Sequence, residues 1–303
     1  MQKAVFLCLY LLTKPNICDR LYIIYKYFKN TLDLTGEKAF FRSTTGERYM
    51  ILTVDIGNTN IVLGGFEGEE LCFIARLSTN TSATSDEYSA RIISLLELYD
   101  VDFRDISGTI CASVVPQLNG VIKESLRFIF NCEPIFVGPG IKSGIGIRCD
   151  IPSSVGADII AAAVAAHYLY TSPCLIVDIG TATKISLVND QGAFAGTSII
   201  PGVMMGLNAL SECTAQLPRI SLEVPRSVIG KNTADSMRSG VMFGNASLID
   251  GMIDRIFDEL GKEIKVLATG GLASTLIPLC RHEMTVDEHL VLRGLNILYS
   301  KNI

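Results

Sequence analysis

A chain of 303 residues with 49% hydrophobic and 19% charged content is long enough to bury one large core or two of medium size, and reads as globular. Its formal net charge of −5, with no run of five like charges, lacks the basic stripe that binding to a phosphate backbone requires, which excludes nucleic acid as a partner. Nine cysteines without a C-x-x-C pair read as reduced core thiols of a cytoplasmic protein, not as a disulfide or metal framework.

Residues 1–49 differ from the rest. They hold nine of the 23 Phe and Tyr residues and eight basic against four acidic residues, leaving 18 basic against 27 acidic over residues 50–303. The apolar stretch "AVFLCLYLL" at 4–12 is too short to span a bilayer, and no small-residue cleavage site follows it, so no membrane partner is expected. Residues 1–49 are expected to be an N-terminal extension that is not translated in the cell. Met50 is then the start, because "MILTVDIGNTN" opens directly on a strand and "GERY" fits a translated purine-rich ribosome-binding site.

From Met50, "ILTVDIG", "NIVLGGFEG" and "LCFIARLS" predict a meander of three strands separated by Gly or acidic turns. "SDEYSARIISLLELYD" predicts an N-capped amphipathic helix, "DISGTICASVV" a buried strand, "QLNGVIKESLRFIF" a helix and "PIFVG" a further strand. An Ala-rich helix is expected from Val155 to Tyr170. The order then restarts: "CLIVDIG", "TKISLVND" and "AFAGTSII" as strands, helices over Gly202 to Cys213 and Thr233 to Leu260, the strand "IKVLATGG", and helices beginning near Leu272 and Val286. Two domains are expected, 50–172 and 173–303.

The heptad "VDIGNTN" at 54–60 returns as "VDIGTAT" at 177–183, 123 residues later. In each copy a strand leaves an Asp at the sheet edge, where a Gly allows a tight turn into the next strand. Such an Asp can hold a hydrated Mg²⁺, while Asn and Thr side chains and the turn's N–H groups can reach phosphate oxygens. One D-x-G-x-T is an ordinary turn; two at corresponding positions make a clamp for a nucleotide.

This arrangement resembles the actin, sugar-kinase and heat-shock-chaperone ATPase superfamily, which implies an α/β fold of two ribonuclease-H-like domains. "ATGG" at 268–271 resembles that superfamily's adenosine-side turn. "DIGNTNIVLG", "VGAD", "DIGTAT", "PGV", "TAQLPRI", "SVIGKNTADSMRSGVMFG", "LIDGMIDRI", "LATGGLA" and "LRGLNILY" together resemble type III pantothenate kinase over almost all of residues 50–303, in the family's order. The resemblance implies a homodimer that phosphorylates pantothenate with ATP to 4'-phosphopantothenate, the first step of coenzyme A biosynthesis.

Carried over residue by residue, it implies ATP contacts at Asp55, Ile56, Gly57, Asn58, Thr59, Asn60, Ile61, Val62, Thr181, Gly270 and Gly271, with Asp55 also holding Mg²⁺. Substrate contacts fall on Gly156, Ala157, Asp158, Ile159 and Thr214. Asp158 is implied as the general base, and its place near a helix N-terminus favours the anion that a base must be. Asp158 taken alone reads first as a helix cap. Asp178 matches a ligand of a monovalent cation, K⁺ or NH₄⁺.

Departures from the family pattern are Ile159 in place of an arginine, Ile151 in place of an Asn-type contact, and Lys184 and Ser186 where the second turn normally continues with Thr and Asp. Each lost hydrogen bond to a charged group is worth about 1.5–3 kcal/mol, so a silent homologue that binds nucleotide or a related ligand as a regulatory subunit stands as the second reading. Lys184 is left with three roles: it replaces the monovalent cation, replaces the lost arginine, or faces solvent on a strand edge. His167, His282 and His289 share no metal-ligand spacing and read as structural. Met204 and Met205 read as packing residues, and the helix containing "GVMFGNASLIDGMIDRIF" as a subunit interface or a buried helix.

Overall fold

The computed structural model describes residues 49–303, which lie in one compact unit, Arg48–Ile303. Apart from Tyr49, the expected extension over 1–49 lies outside the described residues. Two five-stranded sheets share one plan. The first runs β3(Glu70–Ser78), β2(Asn60–Glu67), β1(Met50–Ile56), β4(Ile106–Ser113), β5(Ile135–Phe136), and the second β8(Phe194–Pro201), β7(Ala182–Val188), β6(Cys174–Ile179), β9(Lys265–Thr269), β10(Thr285–Val286). In each sheet the first strand pairs antiparallel with a meander on one side and parallel with a crossover strand on the other. The expected α/β duplication is therefore present, and the restart seen in sequence at residue 174 is a restart in topology.

Central strands here are covered on both sides, so they read as nearly continuous apolar runs, as in "MILTVDI" and "CLIVDI". On the first sheet, α1(Ser85–Leu98) begins at Thr84, whose hydroxyl accepts from the Glu87 N–H while the Glu87 carboxylate accepts from the Thr84 N–H. Its Tyr88, Ile92 and Leu96 share a core with Leu118, Ile122 and Leu126 of α2(Pro116–Phe130). In the second half, α4(Val203–Glu212) and the 28-residue α5(Thr233–Leu260) cover β6, β7 and β9. α5 starts at the Asn232 cap and stops at Gly261, which takes the left-handed conformation at φ 66°.

The Ala-rich helix is α3(Ala157–Leu169), slightly shorter than expected because Val155, the Gly156 cap and Tyr170 take non-helical backbone angles. It is buried on every face, as a helix without a polar stripe must be, and it touches β4 of the first sheet and β6 and β7 of the second. The final helix, α7(Leu290–Asn302), starts four residues later than the expected Val286, which belongs instead to the two-residue strand β10. Near Leu272 the helix is a single turn, α6(Ala273–Leu276), followed by a 3₁₀ turn carrying Pro278, which cannot donate to a continuing helix.

Although α7 closes the second half of the sequence, it packs on α3 and on β1 and β4 of the first sheet. The Asn296 side chain donates to the Gly68 carbonyl oxygen at 2.7 Å, and Gly294 lets the backbones of α7 and α3 touch. A Cβ at Gly294 would stand 1.9 Å from the Ala161 carbonyl oxygen. Gly294→Ala is therefore expected to lower stability by about 1–3 kcal/mol, read as a fall in the urea midpoint at unchanged slope. Among the described residues no helix is long and apolar enough to cross a membrane.

Candidate active site

The repeated heptads form two matching corners. Asp55 is the penultimate residue of β1 and Asp178 the penultimate residue of β6. After Asp55 the chain reverses through Gly57–Thr59, closed by the Gly57 N–H donating to the Asn60 carbonyl oxygen at 3.0 Å. Thr79, just past the end of β3, pins this turn: its hydroxyl donates to the Gly57 carbonyl oxygen at 2.6 Å and its N–H to the Thr59 carbonyl oxygen at 3.0 Å. Asn58, Thr59 and Asn60 are left exposed. The second turn closes one residue sooner, with the Gly180 N–H donating to the Ala182 carbonyl oxygen at 3.3 Å and Thr181 exposed. The two corners face each other, with the Thr59 and Thr181 hydroxyl oxygens 3.0 Å apart.

Two glycine turns clasp the second corner. Gly270 has φ +95°, and a Cβ there would lie 2.5 Å from the Ile179 carbonyl oxygen and 2.7 Å from Asp178 Oδ1. Gly202, just before α4, lies so close to Thr181 that a Cβ would meet its carbonyl oxygen at 2.1 Å. Gly270→Ala is thus expected to raise KM for ATP about tenfold or more while leaving KM for the acceptor within about threefold, as steady-state kinetics with each substrate varied would show. Gly271 is exposed beside it. Of the other residues expected around ATP, Ile56 and Ile61 are core residues at 0% and 1% exposure, paired with each other in the β1–β2 ladder, so the structure leaves neither open to a ligand. Val62 is half-buried and sits directly across the ladder from Asp55.

An acidic centre lies behind the two turns. Asp158 enters in the first turn of α3, after Gly156 and the buried Ala157, and its Oδ1 accepts from the Ile159 N–H at 2.9 Å. The N-cap is Gly156, which settles the alternative for Asp158: it is not the capping residue. Its Oδ2 accepts from the Lys184 ammonium at 2.5 Å, and the same ammonium lies 2.7 Å from Asp178 Oδ2. The solvent-facing reading of Lys184 is thereby excluded, since its side chain is only 16% exposed.

Burial first, then the Asp158 and Asp178 carboxylates, push the Asp55 carboxyl up to about 7, with Lys184 offsetting part of the effect. Burial likewise raises Asp178 above the usual carboxylate range, against the pull of Lys184. For Lys184, burial disfavours the charge, but Asp178 and Asp158 more than offset it and hold the ammonium above the usual lysine range.

Asp55 fits a Mg²⁺ ion: it is a half-buried carboxylate at the C-terminal end of the central strand β1, beside an exposed turn, and its negative charge is disfavoured by two neighbouring carboxylates. Asp178 does not fit the expected exchangeable monovalent cation, because the Lys184 ammonium already holds its Oδ2.

Thr214 is exposed, and its hydroxyl is engaged at the end of α4, donating to the Leu210 carbonyl oxygen at 2.6 Å. Among the described residues, no hydrogen bond joins its hydroxyl to the acidic centre. Ile159 is buried with Ala162 and Ala163, so the position matching the family's arginine feeds the core here, whereas Ile151 is 62% exposed. Ser186 is buried on β7 and its hydroxyl donates to Thr197 Oγ1. His167 lies within hydrogen-bonding distance of the Ser172 hydroxyl, and His282 of Asp254, both structural pairings.

Thr79 and the Asp158–Lys184 pair were not anticipated. No local signal marks Thr79, and the pair depends on how α3 docks across the second sheet.

A duplicated sheet plan, two facing Asp-Gly-Thr corners and an acidic centre behind them define a phosphotransferase of the actin and sugar-kinase class. The sequence model of type III pantothenate kinase matches residues 51–255. The chain is 41% identical to the type III pantothenate kinase of Halalkalibacterium halodurans over 254 residues, covering 84% of this chain and all of that protein. It is 43% identical to the type III pantothenate kinase of Citrifermentans bemidjiense over 253 residues, with the same coverage. This chain belongs to the type III pantothenate kinase family. Among solved structures, a Baf family transcriptional activator from Campylobacter jejuni shares the fold, with a TM-score of 0.52 at 20% identity over 83% of this chain and 98% of that one.

Proposed function

We propose that this chain transfers the γ-phosphoryl group of ATP to the hydroxyl of pantothenate, forming 4'-phosphopantothenate at the entry to coenzyme A biosynthesis. The observation that carries this reading, beside family membership, is the meeting of Thr59 and Thr181 in front of three carboxylates. Phosphoryl transfer needs positioning and charge neutralisation more than covalent participation. The two turns supply hydroxyls and main-chain N–H groups that can exchange their mutual contact for phosphate oxygens, so a nucleotide bridges the halves by replacing the Thr59–Thr181 bond. Gly270 and Gly271 open the adenosine side.

Asp55 would hold Mg²⁺, which when bound neutralises charge on the phosphates. Asp158 is read as the base that takes the hydroxyl proton. What supports this is a carboxylate in the first turn of a helix, held by the Ile159 N–H and Lys184, within the electrostatic reach of Asp55.

A homodimer belongs to the same reading: Ile199, Met204, Met205 and Leu248 leave apolar side chains exposed on β8, α4 and α5. So does a cytoplasmic location, since the seven cysteines of the described residues are free thiols. Burial pushes four of them up, Cys111, Cys132, Cys174 (to about 11) and Cys280 (to about 12), which disfavours the reactive thiolate. The test is ATP-dependent formation of phosphopantothenate by the full chain. Nucleotide binding without product would favour the regulatory-subunit reading.

A further inference from the structure

Lys184 lies directly across the β6–β7 ladder from Asp178, so both side chains rise from one face of the second sheet. Helix α3 brings Asp158 onto that face, and Lys184 Nζ stands 2.5 Å from Asp158 Oδ2 and 2.7 Å from Asp178 Oδ2. The side chains of Lys184, Asp158 and Asp178 are only 16%, 13% and 17% exposed. Two carboxylates that converge on one point in a largely buried site need positive charge between them. A small cation from solution supplies it reversibly, whereas an ammonium fixed to a strand supplies it without capture from solvent. The third carboxylate, Asp55, is close enough to feel all three groups.

We propose that Lys184 is the tethered monovalent cation of this site, a positioning residue that ties Asp158 to the second phosphate turn through Asp178 and makes a soluble monovalent cation unnecessary. The proposal rests on the kinase reading for its catalytic half, while its charge-balance half concerns the free protein and is tested separately.

In the reaction, the pantothenate hydroxyl oxygen bonds to the γ-phosphorus as the bond from that phosphorus to the β,γ-bridging oxygen breaks. The electron pair leaves on ADP, and the hydroxyl proton passes to Asp158. Lys184 remains an ammonium throughout. As Asp158 turns neutral, Asp178 retains the cation, so the lysine stays aligned for the next turnover.

The test compares the full chain with Lys184→Ala, at constant ionic strength, in choline, potassium, ammonium and methylammonium chlorides. Two readouts are taken: the unfolding midpoint without nucleotide or magnesium, and kcat. For the wild type, both are expected to be the same in choline as in potassium or ammonium, with kcat within about twofold. Lys184→Ala is expected to lose about 100-fold in kcat in choline and to regain about tenfold or more with ammonium or methylammonium, alongside a saturable rise in its unfolding midpoint.

A wild type whose kcat rises about tenfold or more with potassium would overturn the proposal, as would a Lys184→Ala protein indifferent to every small cation. Should Lys184→Ala fail to fold, Lys184→Met keeps the apolar stem, and the wild-type comparison stands without either variant. If no chain turns over, the kinase reading fails on its own, and the cation dependence of the unfolding midpoint still decides the role of Lys184.

Discussion

Asp55→Asn is expected to abolish nearly all turnover and, at pH 8, to make the free protein more stable than the wild type. The Asp55 carboxyl sits at about 7, raised from an ordinary 3.8 by burial and by the Asp158 and Asp178 carboxylates. A carboxyl whose folded value lies above its unfolded value contributes stability that is fully present below about 3.8 and is lost as pH rises through about 7. At pH 8 the wild type therefore carries an unfavourable charge at this corner, worth roughly 2–4 kcal/mol, that the neutral amide does not. The stability advantage of Asp55→Asn should shrink steadily from pH 8 to pH 4, as thermal or urea unfolding in the absence of nucleotide would show.

That same unfavourable negative charge gives Mg²⁺ something to neutralise. MgATP should stabilise the wild type more at pH 8 than at pH 5.5, and stabilise Asp55→Asn less than the wild type at pH 8. The loss of the carboxylate that would hold the Mg²⁺ neutralising the phosphates is expected to lower kcat by about a thousandfold. A variant that kept wild-type activity would remove Asp55 from the phosphate-binding machinery. One that showed no pH-dependent stability gain would remove the electrostatic conflict inferred at this corner.

Asp158→Asn is expected to lower kcat by about 10²–10⁴-fold with KM for ATP changed less than about threefold. The amide is similar in size and can still accept from the Ile159 N–H, but it cannot take the proton released by the acceptor hydroxyl. It also leaves the Lys184 ammonium with Asp178 as its one remaining carboxylate partner among the described contacts. The kinetic split is the informative part. A fall in kcat at constant KM for ATP marks a group acting in the transition state, whereas a parallel rise in KM would mark Asp158 as a structural support for the nucleotide site. Folding of the variant is checked by its unfolding midpoint in the same buffer.

The duplication was readable because both copies of the heptad keep the same relation between strand, Asp and Gly. A strand that ends on a polar residue followed by a tight turn has few other structures open to it, and two such endings in matching surroundings predicted matching sheets. That the two turns face one another was expected from this repeat; the particular Thr59–Thr181 contact, between positions 122 residues apart in a repeat of 123, was not.

Lys184 was not readable in this way. Its place opposite Asp178 is a property of the β6–β7 register, but its bond to Asp158 needs α3 docked on the second sheet, and α3 is apolar on all faces, so its own sequence points to no particular neighbour. For the same reason α7 could not be assigned to the first sheet from its apolar pattern. The contact that assigns it, Gly294 on Ala161, is a backbone approach that leaves no periodic trace. Strand β10 is two exposed residues held only by pairing with β9, too short for any alternation to show. Ile159 looked like a lost substrate contact; its burial against the Ala-rich face shows a residue recruited to the core.

The measurement that bears most directly on the assignment is a mass-spectrometric time course of the full chain with ATP, magnesium and pantothenate, following ADP and 4'-phosphopantothenate together. Formation of both in equal amounts, absent without enzyme and strongly reduced in Asp158→Asn, is the predicted result. ADP released without phosphopantothenate, or nucleotide bound with neither product formed, would contradict the account.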